Sequence, residues 1–132
     1  MKIFQGVDLV ALDKFRDLLS RHPVLAQDLF TESERAYCDS RKSPATHFAG
    51  RFAAKEAALK ALGIGITTGI DRSFREVEVT RTESGKPIIT FHGWLATLGQ
   101  RLRVNQATVS ISHSAEYAIA MVILLCHGES SQ

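Results

Sequence analysis

Cysteine is scarce in this sequence. Cys38 and Cys126 are the only two, far apart, in no CxxC pair and with no histidine at metal-ligand spacing. That argues against a zinc site and a disulfide framework, and both are read as free thiols. Long apolar runs are missing as well. From Met1 the chain reaches Asp8 before any signal-like stretch develops, and no window approaches the ~20 apolar residues of a membrane span. A soluble, cytoplasmic protein without a membrane partner is expected. Charge of one sign is also in short supply. Sixteen Lys and Arg against 14 Asp and Glu leave a formal charge of +2, with a pI near 8.7. Such a balance suits a protein that meets an anion and argues against a polycation that coats nucleic acid.

What is present is 132 residues, 45% of them apolar. That is enough for one compact domain with a real core and too little for two. The domain is expected over 1–127, followed by a polar tail, 128–132, that frays.

Residues 3–10, rich in Ile, Phe, Val and Leu, predict a buried strand with Asp8 near its end. Over 12–22, Leu12, Phe15, Leu18 and Leu19 share one side of a helix whose edge carries Lys14 and Arg21. Thr31-Glu32-Ser33-Glu34 has the form of a capping box and predicts a short helix to about Ser40. Arg41-Lys42-Ser43-Pro44 breaks that pattern. Ser43 or Thr46 can then cap the strongest helix of the chain, which runs to Leu62 and stops at Gly63. Gly63, Gly65 and Gly69 mark a flexible connection.

The period then becomes alternating, with Val77 and Val79 on one face and Glu76, Glu78 and Thr80 on the other. A turn over 83–87 leads to a hairpin partner at 88–91. Trp94, Leu95, Leu98 and Leu102 recur at helical spacing, and strands at 108–112 and 117–125 close the domain around His113-Ser114. With no internal repeat and no regular βαβ alternation, this order predicts an α+β domain, a mainly antiparallel sheet packed on a long central helix.

The long helix carries the most information. At about 100° per residue, Phe48, Phe52, Leu59 and Leu62 form one apolar face, while Gly50, Ala49, Ala53, Ala54, Ala57, Ala58 and Ala61 fill most of the opposite one. Against that background, Arg51 and Lys55 stand one turn apart, and Glu56 and Lys60 form an (i, i+4) pair. Two readings fit the spacing. In the first, the basic residues snorkel and the pair is an ordinary surface contact worth a few tenths of a kcal/mol.

In the second, Glu56 and Asp8 are hard oxygen ligands of a magnesium ion completed by substrate phosphates, with Arg51, Lys55 and Lys60 neutralising them. Spacing alone leaves open whether the two carboxylates meet. Gly63-Ile64-Gly65 is no Walker loop; it fits a helix C-cap or a close approach of amides to phosphate. Ser112 and His113 point to opposite faces of a strand, which disfavours a nucleophile–base pair, and no G-x-S-x-G elbow exists. His113 then reads either as a turn residue or as a ligand contact.

Four stretches in order resemble the holo-acyl-carrier-protein synthase family of phosphopantetheinyl transferases. They are Gly6-Val7-Asp8-Leu9-Val10, Phe30-Thr31-Glu32-Ser33-Glu34, the segment from Ala49-Gly50-Arg51-Phe52-Ala53-Ala54-Lys55-Glu56-Ala57 to Lys60-Ala61-Leu62-Gly63, and Ile111-Ser112-His113-Ser114. Gly85-Lys86-Pro87 fits the family's hairpin turn. The resemblance implies a 4′-phosphopantetheinyl transferase fold and a Mg2+ ion held by Asp8 and Glu56. It implies that Lys60 contacts the phosphates of coenzyme A, that Arg51, Lys42 and His113 hold its nucleotide end, and that Gly63, Gly85, Pro87 and Ser112 line its pocket.

The implied reaction moves phosphopantetheine from coenzyme A to a serine of an acyl carrier protein and releases 3′,5′-ADP. Either Glu56 or a metal-bound water takes the serine proton. The resemblance further implies that the acidic carrier docks on Lys14 and Arg21, and that a homotrimer forms with the coenzyme A pocket between subunits. The first motif departs from the family at one place, Ala11, where an acidic residue is usual. Two other readings compete: a module that binds RNA or a nucleotide without chemistry, which the paucity of strand aromatics disfavours, and a non-catalytic coenzyme A-binding homologue, which the presence of Asp8 and Glu56 disfavours.

Overall fold

The computed structural model describes residues 1–64 and 74–128. Gly65, Gly69 and all of the polar tail except Gly128 lie outside these residues. The elements are β1 (Lys2–Ala11), α1 (Leu12–Arg21), α2 (Leu25–Leu29), α3 (Glu32–Asp39), α4 (Pro44–Ala61), β2 (Val77–Arg81), β3 (Pro87–Phe91), α5 (Gly93–Arg101), β4 (Val104–His113) and β5 (Tyr117–Cys126). An antiparallel sheet of order β1-β5-β4 and a β2-β3 hairpin make this the expected α+β domain. Both cysteines are free and buried.

Two local expectations need correcting. α2 was not foreseen, because its five residues begin without a side-chain cap and are too few to show a helical period. Pro44 opens α4 instead of ending the preceding pattern, and the side chain of Ser43 makes no cap bond. Proline suits a first helical position, where its missing N–H deprives the helix of nothing.

α4 lies on the sheet through its small-residue side. A Cβ on Gly6 of β1 would stand 2.0 Å from the Ala57 carbonyl oxygen, and one on Gly50 would stand 2.9 Å from Ile111 Cγ2. The glycine before Asp8 is therefore what lets strand and helix approach backbone to backbone. Gly6→Ala is expected to lower stability by about 1–3 kcal/mol and to shift Asp8, which lies two residues along the same strand face. Urea unfolding checks this; a parent-like unfolding free energy would refute the close-approach argument.

The opposite side of α4 is covered within the same chain. Phe48 meets Phe30 at 4.9 Å between ring centroids, and Phe52 meets Phe15 at 5.0 Å and Phe74 at 5.1 Å. Deeper still, the capping box of α3 doubles as an ion-pair site. Glu34 Oε1 accepts from the Thr31 amide at 2.8 Å, and its Oε2 accepts from the Val79 amide at 2.7 Å. Lys55 Nζ stands 2.8 Å from Glu34 Oε1, both side chains fully buried, and donates to the carbonyls of Phe74 and Val77. This corrects the expectation that Lys55 neutralises phosphates: its charge is used up inside the core.

The helix's two apolar sides thus need no second subunit to cover them. Among the described residues an apolar patch is left uncovered on the outer face of the sheet, where Ile3, Val7, Leu9, Ile119 and Met121 are exposed, with Val7 opposite Met121 and Leu9 opposite Ile119.

Candidate active site

β1 and α4 bring Asp8, Glu56 and Lys60 together, which spacing had left open. Lys60 Nζ donates to Asp8 Oδ1 at 2.9 Å and to the Val7 carbonyl at 3.1 Å. The expected Glu56–Lys60 pair on one helix gives way to this pair between layers, in which the ammonium meets both the Asp8 carboxylate and a backbone carbonyl of β1. Burial, and then the hydrogen bond and charge of the adjacent Asp8, push the Glu56 carboxyl up to about 8, against the pull of Lys60.

Two carboxyls can share a hydrogen bond only while one keeps its proton; with both ionised, Asp8 Oδ2 is buried without a partner. One ammonium for two crowded carboxylates leaves an excess negative charge and an orphaned oxygen. Among the described residues no group of three or more His, Cys, Asp or Glu could hold a metal, so the protein offers two hard oxygen ligands. That donor set fits magnesium, which keeps several waters and takes its remaining ligands from phosphates.

A second charged group lies on the other flank of α4. Viewed down the helix with Ala57 toward the sheet, Glu56 and Lys60 fall about 60–100° to one side and Arg51 about 120° to the other. Arg51 is buried, and its guanidinium stands over the Tyr37 ring of α3 at 4.2 Å. Arg81 stands over the same ring at 4.3 Å and Arg41 at 5.4 Å. His47 meets Tyr37 edge-on at 5.7 Å and His113 at 6.4 Å, and its own pKa is lowered by burial and by Arg51, Arg41 and His113. Lys42 is exposed on the loop beside Arg41, and Pro87 lies opposite Arg81 in the hairpin. The structure therefore gathers Arg51 and His113 with Lys42 and the hairpin nearby, but sets them apart from the carboxylates.

The family model of the 4′-phosphopantetheinyl transferase superfamily matches residues 5–122. The chain belongs to this superfamily. It is similar to a holo-[acyl-carrier-protein] synthase of Pseudoalteromonas atlantica, 44% identical over 119 residues, 90% of this chain and 93% of that one. Among solved structures it resembles the ACPS–CoA complex of Chronobacterium ammoniagenes, with a TM-score of 0.86 and 30% identity over 96% of this chain and 99% of that one. It also resembles a holo-(acyl-carrier-protein) synthase of Bacillus anthracis in complex with CoA (3′,5′-ADP), with a TM-score of 0.75 and 32% identity over 94% and 96%. The protein is a transferase of the holo-acyl-carrier-protein synthase family.

Other residues singled out in this phosphopantetheinyl transferase are spread more widely. Gly63 has φ +81°; its amide donates to the Lys60 carbonyl at 3.0 Å, while Ile64 donates to Leu59 at 2.9 Å. These bonds make a Schellman cap, so Gly63 offers a phosphate space but no free donor. Gly85, at φ +93°, turns the β2–β3 hairpin. Ser112 is exposed opposite Ile119.

On α1, Lys14 is exposed, whereas Arg21 pairs with Asp17 and Arg16 with Asp13, each at 3.0 Å. Exposed pairs of this kind contribute little and can be exchanged for an acidic partner. Ala11 is the N-cap of α1 and makes no side-chain cap bond. Sequence reasoning missed Tyr37, Arg41, Arg81 and His47, which come from α3, the loop after it, β2 and α4 and meet only through folding.

Proposed function

We propose that the protein transfers 4′-phosphopantetheine from coenzyme A to a serine of apo acyl carrier protein and releases 3′,5′-ADP. The reading rests on one observation above all: Asp8 and Glu56, crowded beside Lys60 with an oxygen left unpaired, in a chain of this family. Asp8 and Glu56 would hold Mg2+, which when bound neutralises charge on the diphosphate.

Lys60 shifts from Asp8 toward the phosphoryl oxygens and stabilises the charge that develops there. Glu56 accepts the proton of the carrier serine as its oxygen attacks the phosphorus nearer the pantetheine and the bond to the departing nucleotide breaks. Arg51, Lys42 and His113 hold the nucleotide end, and Gly63, Gly85, Pro87 and Ser112 give it room. Both substrates belong to the cytoplasm, which is where this reading locates the enzyme.

Because Arg51 and the carboxylates flank α4 on opposite sides, one subunit presents two half-sites facing different ways. A homotrimer closed through the apolar outer sheet face would bring the guanidinium half of one copy to the carboxylate half of the next. Mixing Arg51→Met with Glu56→Gln subunits, each defective alone, is then expected to restore activity at roughly a quarter of the sites after random exchange. No recovery on co-refolding would place the whole site in one subunit.

An acidic carrier helix fits α1, which exposes Lys14, Arg16 and Arg21; Arg21 also lines a groove of about 530 Å3 with Leu18, His22, Val24, Leu25 and Asp28. Charge complementarity of this kind speeds encounter and weakens with salt. Intact mass of apo carrier protein after incubation with the enzyme, coenzyme A and Mg2+ tests the activity. The expected gain of one phosphopantetheine, blocked by chelator, supports the reading; no gain on several carriers rejects it.

A further inference from the structure

The ammonium of Lys60 is fixed at two points of β1. It donates to Asp8 Oδ1 at 2.9 Å and to the Val7 carbonyl at 3.1 Å. Of the two Asp8 oxygens, one therefore carries the ammonium and the other, Oδ2, is buried without a partner. A cation arriving from solvent meets a carboxylate whose charge is already matched, and to bind there it has to displace Lys60.

The lysine is placed so that it can leave. Its side chain is 46% exposed against 12% for Asp8, so the pair is only partly removed from water and of modest strength. The stem of Lys60 lines an open groove of about 450 Å3 with Gln5, Gly6, Val7 and Met121, which gives the ammonium room to swing. Lys60 also stands in the last turn of α4, where the helix dipole favours a cation and keeps it close to the site. A diphosphate beside the carboxylates offers the ammonium a stronger partner than Asp8 does, and once the ammonium turns to it Oδ1 is free.

We propose that Lys60 is a resident counter-ion that competes with divalent metal for Asp8 until a diphosphate draws it away, so that metal and coenzyme A each strengthen the other's binding. The inference rests on the proposed metal site at Asp8 and Glu56 and adds an order to it. Metal without coenzyme A binds weakly, because it competes with an ammonium; coenzyme A removes the competitor. The coupling is reciprocal, since metal at Asp8 releases the ammonium for the phosphates.

The test measures binding of Mn2+, a divalent ion that takes oxygen ligands as Mg2+ does, by counting the free ion with electron paramagnetic resonance. Parent and Lys60→Gln are compared with and without saturating coenzyme A, and without carrier protein, so that nothing turns over. In the absence of coenzyme A, Lys60→Gln is expected to bind Mn2+ about fivefold more tightly than the parent. In its presence the two proteins are expected to agree within about twofold, so the variant loses much of the coupling. A gain of equal size in both conditions would make Lys60 a distant like charge and overturn the proposal. Unchanged or weaker binding by the variant without coenzyme A would overturn it as well.

Lys60 is exposed, so its variant is expected to fold, and its Tm checks this. Glu56→Gln separates the two possible failures. Metal binding that needs Glu56 but ignores Lys60 would count against the counter-ion alone, whereas parent-like binding by Glu56→Gln, or no binding by any of the proteins, would count against the metal site on which it rests.

Discussion

Lys55→Met is expected to destabilise the protein by about 3–5 kcal/mol, the usual cost of leaving one partner of a buried ion pair behind. The Glu34 carboxylate would keep its two backbone donors, the amides of Thr31 and Val79, but lose the one counter-charge it has among the described residues, in a fully buried position. The carbonyls of Phe74 and Val77 would lose the ammonium they share. Burial lowers the Lys55 pKa, and Glu34 opposes that shift, so Glu34→Gln is also expected to destabilise, by weakening the hold on the lysine's proton.

Combining the two changes removes charge from both sides, and the double variant is expected to lose less than the sum of the singles, the mark of direct coupling. Urea unfolding of the four proteins gives the cycle. A single Lys55→Met variant within 1 kcal/mol of the parent, as about the scatter of a surface change, would refute the buried-pair account. Its folded fraction should keep the parent's kcat, because Lys55 contributes to the core and not to phosphate binding.

Glu56→Gln is expected to reduce transfer by about 10²–10⁴-fold, the range for losing a general base, with the fold intact. It also carries a pH signature. In the metal-free protein the Glu56 carboxyl titrates near 8, against its ordinary 4.5. Between those values the folded state holds a proton that the unfolded state has released, so stability is fully present below about 4.5 and is lost as pH rises through about 8. Glutamine at this position cannot titrate.

The parent's chelated Tm is therefore expected to fall between pH 5.5 and 8.5 more steeply than that of the variant. The gap corresponds to about 1–2 kcal/mol once half exposure is discounted. Added Mg2+ should raise the parent's Tm at pH 8 and leave the variant's nearly unchanged, since a ligand stabilises only the state that binds it. Parallel pH curves, or equal response to Mg2+, would remove Glu56 from the proposed metal site.

Reading the chain along its length recovered most of the elements, since their signals are local. The capping box at Thr31 and Glu34 forms as its residues predict. The alternation at Val77 and Val79 becomes β2, and the turn at Gly85 closes the hairpin. The alanine and phenylalanine faces of α4 were both visible as buried. What failed was pairing: Lys55 and Lys60 have plausible neighbours on their own helix, and neither uses them. Lys55 turns to Glu34 and Lys60 to Asp8: the buried ammonium of Lys55 needs a counter-charge beside it, the half-exposed Lys60 reaches the carboxylate that β1 lays beside α4, and both partners come from another layer.

By itself, then, the sequence determined the elements, the two buried faces of α4 and the motif residues Asp8, Glu56 and Lys60 that mark the family, since periodicity and caps act within a few residues. Only the tertiary structure decided which charges meet. It also decided that the carboxylates and Arg51 lie on opposite flanks of one helix, and that Tyr37 gathers three arginines. Those outcomes depend on distance and burial across layers, which no spacing along the chain encodes.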